Sequence, residues 1–148
     1  MRHFYLYLIK SEFANHYFGR EQKLFRLFHD YFWTSGDNPK YGMLKKQIDY
    51  VSKKIPVFKL DELIQLYLQP YEGYSLVSPI HKIQLMNNQG NATLMIKEKY
   101  IEITSTGSFE AETIFFEILR KYDSCFLAMD FHHEKYGWLN PIKERKFV

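Results

Sequence analysis

Apolar positions first gather at residues 4–9, a short aromatic and β-branched run that predicts a strand. Apolar on both of its faces, the run reads as a central strand. Ser11 offers a helix N-cap before Glu12. The helical stretch runs to about Phe18, where Gly19 interrupts it. A second helix is predicted over 20–33, with Leu24, Leu27, Phe28, Tyr31 and Phe32 at helical spacing. The segment 35–39, Ser-Gly-Asp-Asn-Pro, is a loop. A third helix follows over 40–53 with Leu44, Ile48 and Val51 as its buried stripe.

Further along, 55–58 reads as a strand, and 61–68 as a short helix capped by Asp61 and ended before Pro70. Three strands are then expected in close succession, over 80–86, 92–97 and 100–104. The first pair is joined by a hairpin-like Asn-Asn-Gln-Gly-Asn segment. Gly107 and Ser108 open the best helix in the chain, 109–122. It carries Glu110 and Glu112 in its first turn and Arg120 and Lys121 in its last, complementing the helix dipole. An apolar strand over 125–131 precedes a tail that ends polar. The pattern predicts an α/β (α+β) fold: a single domain over residues 1–148 with a mostly antiparallel central sheet flanked by helices.

Composition changes this picture in one respect. Of 148 residues, 18% are aromatic, with 13 Phe, 12 Tyr and 2 Trp. So many rings in a small domain raise the expectation that some lie outside the core, where Tyr and Trp are favoured at protein–protein contacts. The formal charge of +3 is spread along the chain. This argues against a concentrated basic stripe for direct nucleic-acid binding. No stretch approaches the roughly 18 apolar residues of a membrane span. The lone Cys125 sits in an apolar run, which suggests a buried thiol and a reducing, cytoplasmic setting.

The search for chemistry yields little. The seven glycines are scattered, with no phosphate-binding loop. No Cys or His pair has metal spacing, so neither a metal nor a cofactor is expected. Cys125, Asp130 and His132 offer the one nucleophile arrangement. Asp130 and His132 share a strand face, while Cys125 lies on the other. A small cytoplasmic enzyme or ligand-binding domain with a pocket near Cys125 and His132 is the alternative reading. A second alternative is nucleic-acid binding through scattered lysines and rings.

Helix geometry points instead to surfaces. Phe13 and Tyr17 are four apart and form one ridge, with Ala14 and Phe18 on the next. Either all four are core, or one ridge packs inward and the other faces a partner. On the third helix Tyr50 lies about 120° from the centre of the apolar stripe, with Gln47 on the same side.

Several segments together resemble the SirA family of sporulation inhibitors of DNA replication. They are Tyr7-Leu8-Ile9-Lys10 running into Glu12-Phe13-Ala14-Asn15-His16-Tyr17-Phe18-Gly19-Arg20-Glu21, then Ala111-Glu112-Thr113-Ile114-Phe115-Phe116-Glu117, and Cys125-Phe126-Leu127-Ala128-Met129-Asp130-Phe131. Tyr136-Gly137-Trp138-Leu139-Asn140-Pro141 and Lys143-Glu144-Arg145 complete the set. The likeness spans both ends and essentially the full length. It implies a cytoplasmic, non-enzymatic protein of spore-forming bacteria that binds domain I of the initiator DnaA and stops new rounds of replication. It further implies a contact surface of Phe13, Tyr17, Gln47 and Tyr50, and a functional link, structural or direct, for Pro141. The expected complex is one-to-one, with Phe13 and Tyr17 inserting into a recess on the partner and Gln47 and Tyr50 fixing orientation. Neither a small-molecule substrate nor a membrane is expected.

Overall fold

The computed structural model describes residues 1–139. Its elements in chain order are β1 (Arg2–Leu8), α1 (Ser11–His16), α2 (Glu21–Trp33), α3 (Tyr41–Val51), α4 (Val57–Leu68), β2 (Tyr74–Val77), β3 (Ile80–Gln84), a single 3₁₀ turn, β4 (Gly90–Ile96), β5 (Ile101–Gly107), α5 (Glu110–Tyr122), β6 (Phe126–Asp130) and β7 (Lys135–Trp138). The seven strands form one sheet in the order β2-β3-β4-β5-β1-β6-β7. Every neighbouring pair is antiparallel. The α+β class and antiparallel sheet expected from the pattern are what the chain adopts.

Strand alternation splits the interior into two cores, one on each face of the sheet. Leu6 and Leu8 of β1 and Phe126 and Ala128 of β6 face α4 and α5, where Leu60, Ile64, Phe115 and Leu119 meet them. Tyr7 and Ile9, with Leu127 and Met129, face the other way onto Leu24, Phe25 and Phe28 of α2 and Ile48 and Val51 of α3. β1 is therefore buried on both faces between β5 and β6, as its composition predicts.

Four readings of the pattern need correction. Residues 55–58 are not a strand. Ile55 is buried in an extended connector whose N–H donates to Glu98 O. Pro56 then caps α4, which begins at Val57 rather than Asp61. Proline's fixed φ suits a helix start, and Leu60, Ile64 and Leu68 supply a four-residue apolar repeat from that point. Two edge strands, β2 and β7, carry little apolar signal because half of their residues are exposed and none is fully buried. Ser11 is the first helical residue of α1, and Lys10 holds the cap position without a side-chain bond.

Buried polar groups fasten the layers. Arg2 donates from Nε to Glu112 Oε2 at 2.6 Å and from a terminal nitrogen to Oε1 at 2.8 Å, tying β1 to α5. The fully buried His81 of β3 lies 2.7 Å from the Tyr74 hydroxyl and 2.5 Å from Asp61 Oδ1, joining β2, β3 and α4.

Candidate functional site

The end of β1 brings α1 and α3 together. Ile9 forms an isolated bridge with Ser52 just past α3. Lys10 N–H donates to Val51 O at 2.9 Å, and Lys53 N–H donates to Leu8 O at 2.8 Å. These bonds fix the start of α1 against the C-terminal turn of α3. At the far end of α1, Gly19 takes a left-handed φ of +82°, a region glycine enters without steric cost. Its N–H and the Trp138 Nε1–H both donate to Glu21 Oε2, so the exit of α1 is moored to α2 and β7.

Between α1 and α3 lies an open groove of about 680 Å³. Phe13, Tyr17, Gln47 and Tyr50 all line it, so the four residues singled out in the sequence meet on one surface. Phe13 and Tyr17 are half-buried, their inner edges packed on the α2/α3 core. Tyr50 is 66% exposed, and its ring meets Phe13 edge-on at 5.2 Å. Lys10 Nζ stands 5.3 Å over the Tyr50 ring. Gln47 is exposed one turn away on the same helix.

The two-ridge expectation for α1 is thus only partly met. No residue of α1 is fully buried. Phe13 and Tyr17 form the wall of a recess rather than free knobs, while Phe18 is the more exposed ring, at 49%. The groove also draws in Leu27, Met43 and Lys46, which the sequence reading did not assign to a surface. Met43, Gln47 and Tyr50 follow the i, i+4, i+7 spacing of one helix ridge, so that signal was present. Lys46 is the charged residue among the groove's lining, which leaves its rim positive beside Lys10.

The alternative site does not assemble. Cys125 precedes β6 and His132 lies in the turn after it, so the whole five-residue strand separates them. Cys125 is half-buried, and burial pushes its thiol pKa up, opposite to what a reactive thiolate needs. Asp130 is committed to the turn after β6, accepting from the N–H groups of His132 and His133 and lying 2.7 Å from His133 Nδ1. Among the described residues, no group of three or more His, Cys, Asp or Glu side chains could hold a metal. Nor is any helix among them long and apolar enough to cross a membrane. Pro141 lies outside the described residues.

The architecture is a single-sheet α+β domain with an open aromatic groove between two helices as its candidate site. Residues 2–143 match the family model described as sporulation inhibitor of replication protein SirA. The chain is 52% identical over 147 residues to the Bacillus subtilis (strain 168) protein of that same description, covering 99% of each. The chain belongs to the SirA family.

Proposed function

We propose that this protein inhibits the initiation of DNA replication during sporulation by binding domain I of DnaA in the groove between α1 and α3. The observation that carries the reading is the meeting of Phe13, Tyr17, Gln47 and Tyr50 on one solvent-open surface. The half-buried stance of Phe13 and Tyr17 revises the docking mode. An apolar side chain of the partner enters the groove, and these two rings receive it. Tyr50 and Gln47 stand at the lip, where they add packing and hydrogen bonds that fix orientation. Lys46 and Lys10 favour a partner surface with acidic groups around its apolar centre. A standard interface covers about 800 Å² on each side, which the exposed faces of α1 and α3 can supply. Occupying domain I in this way blocks initiator self-assembly or the access of its positive regulators.

Calorimetric titration of purified DnaA domain I tests the reading. Tyr50→Ala should weaken binding roughly thirtyfold, the loss associated with about 2 kcal/mol at an aromatic anchor. Gln47→Ala should weaken it less. Tyr67→Ala, an exposed tyrosine on α4, should leave it unchanged. If Tyr50→Ala and Phe13→Ala both bind within twofold of wild type, the groove is not the docking surface.

A further inference from the structure

The groove keeps its shape only while α1 leaves α2 at a fixed angle. The joint between them is the short stretch from Tyr17 to Arg20. Its backbone bonds are local. Phe18 N–H donates to Asn15 O at 3.3 Å, and Arg20 N–H donates to Tyr17 O at 2.7 Å. They close the turn without tying it to the sheet. Packing does not set the angle at Gly19 either, because a Cβ built there would meet nothing within 4 Å.

Glu21 supplies the missing tie. Its Oε2 accepts the Gly19 N–H at 2.8 Å and the Trp138 Nε1–H at 3.1 Å. One carboxylate oxygen therefore holds the joint on one side and the sheet on the other. Hydrogen bonds to an ionised acceptor are stronger than neutral ones. Trp138 belongs to β7, the outermost strand, where it pairs with Leu127 of β6. Its half-buried ring packs against the α2/α3 core, which aims the indole N–H. Trp138 is not among the residues lining the groove.

We propose that Trp138 is a positioning residue for partner binding. Through Glu21 it holds α1 at the angle where Phe13 and Tyr17 face Tyr50 across the groove. The inference rests on the docking reading above and adds to it a residue from the far edge of the sheet. The role is preorganisation. Without the tie α1 samples other angles, and only a fraction of molecules presents a groove that a partner can enter. The apparent affinity then falls by that fraction. Sequence reasoning could not assign Trp138, since 117 residues separate it from Glu21.

Surface-plasmon kinetics with DnaA domain I, corrected for the folded fraction of each variant, test the proposal. Trp138→Phe keeps a ring in place and removes the N–H donor. Its association rate should fall roughly three- to tenfold, with dissociation within about twofold of wild type. Loss of a direct contact acts the other way, mainly on dissociation, and Tyr50→Ala should show that pattern. Gly19→Ala strains the same joint without touching the core, so it should slow association as Trp138→Phe does. Gly19→Asn, a residue that tolerates the left-handed conformation, should keep about half or more of the wild-type rate. Trp33→Phe, at the exposed second tryptophan, should change neither rate. The proposal is overturned if Trp138→Phe and Gly19→Ala both associate within about twofold of wild type. It is equally overturned if Trp138→Phe speeds dissociation alone, which would make Trp138 a contact residue. Either result with Tyr50→Ala still impaired leaves the docking reading standing. If Tyr50→Ala and Phe13→Ala bind like wild type, the docking reading fails and this inference falls with it.

Discussion

Removal of the Arg2 side chain isolates a two-pronged polar tie between β1 and α5. Glu112 has a side chain only 3% exposed, and Arg2 satisfies both of its carboxylate oxygens through a two-pronged contact. The guanidinium also donates to Ser108 O at 3.2 Å and lies 4.4 Å over the Phe109 ring. Deleting one partner of a buried pair strands the other's charge, at a typical cost of 3–5 kcal/mol. Arg2 is 20% exposed, so water can reach the orphaned carboxylate from that side, and the lower end of the range applies. Arg2→Ala should therefore destabilise the protein by about 3 kcal/mol, lowering Tm by roughly 10 °C for a domain of this size. Replacing both residues with leucine removes the stranded charge and should recover much of that loss. Thermal and urea unfolding of wild type, Arg2→Leu, Glu112→Leu and the double leucine variant complete the cycle. The argument fails if Arg2→Ala costs less than about 1 kcal/mol, the level of a helix-dipole effect on Glu112 alone.

Two further outcomes follow from the backbone and the tyrosines. Gly107 has φ +78°, and a Cβ there would lie 2.4 Å from Gln89 O and 2.6 Å from Gly90 Cα. Gly107→Ala should thus cost about 2 kcal/mol or more, since the left-handed conformation alone costs roughly 1–2; an unchanged urea midpoint would refute this. Burial, then the Tyr41 hydroxyl, pushes the Tyr31 pKa up to about 12, and burial drives Tyr7 higher still. Raised folded-state values stabilise the protein below the ordinary tyrosine pKa near 10, and that stabilisation is lost as pH climbs beyond it. Tm should accordingly fall between about pH 10 and 12, less steeply in Tyr7→Phe, with late-ionising tyrosines visible at 295 nm. Uniform titration of all 12 tyrosines near pH 10 in the folded chain would contradict it.

Much of this architecture can be read from local pattern, and what cannot has a common cause. β1 and β6 declare themselves as short runs apolar on both faces, and α5 by a buried face at helical period. β2 and β7 are edge strands with half-exposed residues, so their identity depends on the strand next door. The stretch 55–58 misleads because Ile55 is a core residue in a connector, and burial alone does not distinguish a connector from a strand. Glu112 looks sufficient as a first-turn acid, and nothing local reveals Arg2 as its partner. In the site, helix phase alone picks out Gln47 and Tyr50. Their meeting with Phe13 depends on the Ile9–Ser52 bridge and the Lys10–Val51 bond, which join distant segments.

Helix α1 has six residues, none fully sequestered. Helices that short are marginal in isolation, so α1 leans on the bonds at its two ends. It is thus among the segments that should exchange amide protons early, well before the strands beside it. A ligand that seats against Phe13 and Tyr17 must hold this short turn still. Part of its gross binding energy is spent on that ordering, and measured affinity will understate the quality of the contact. The same linkage makes protection of the α1 amides on complex formation a direct gauge of engagement.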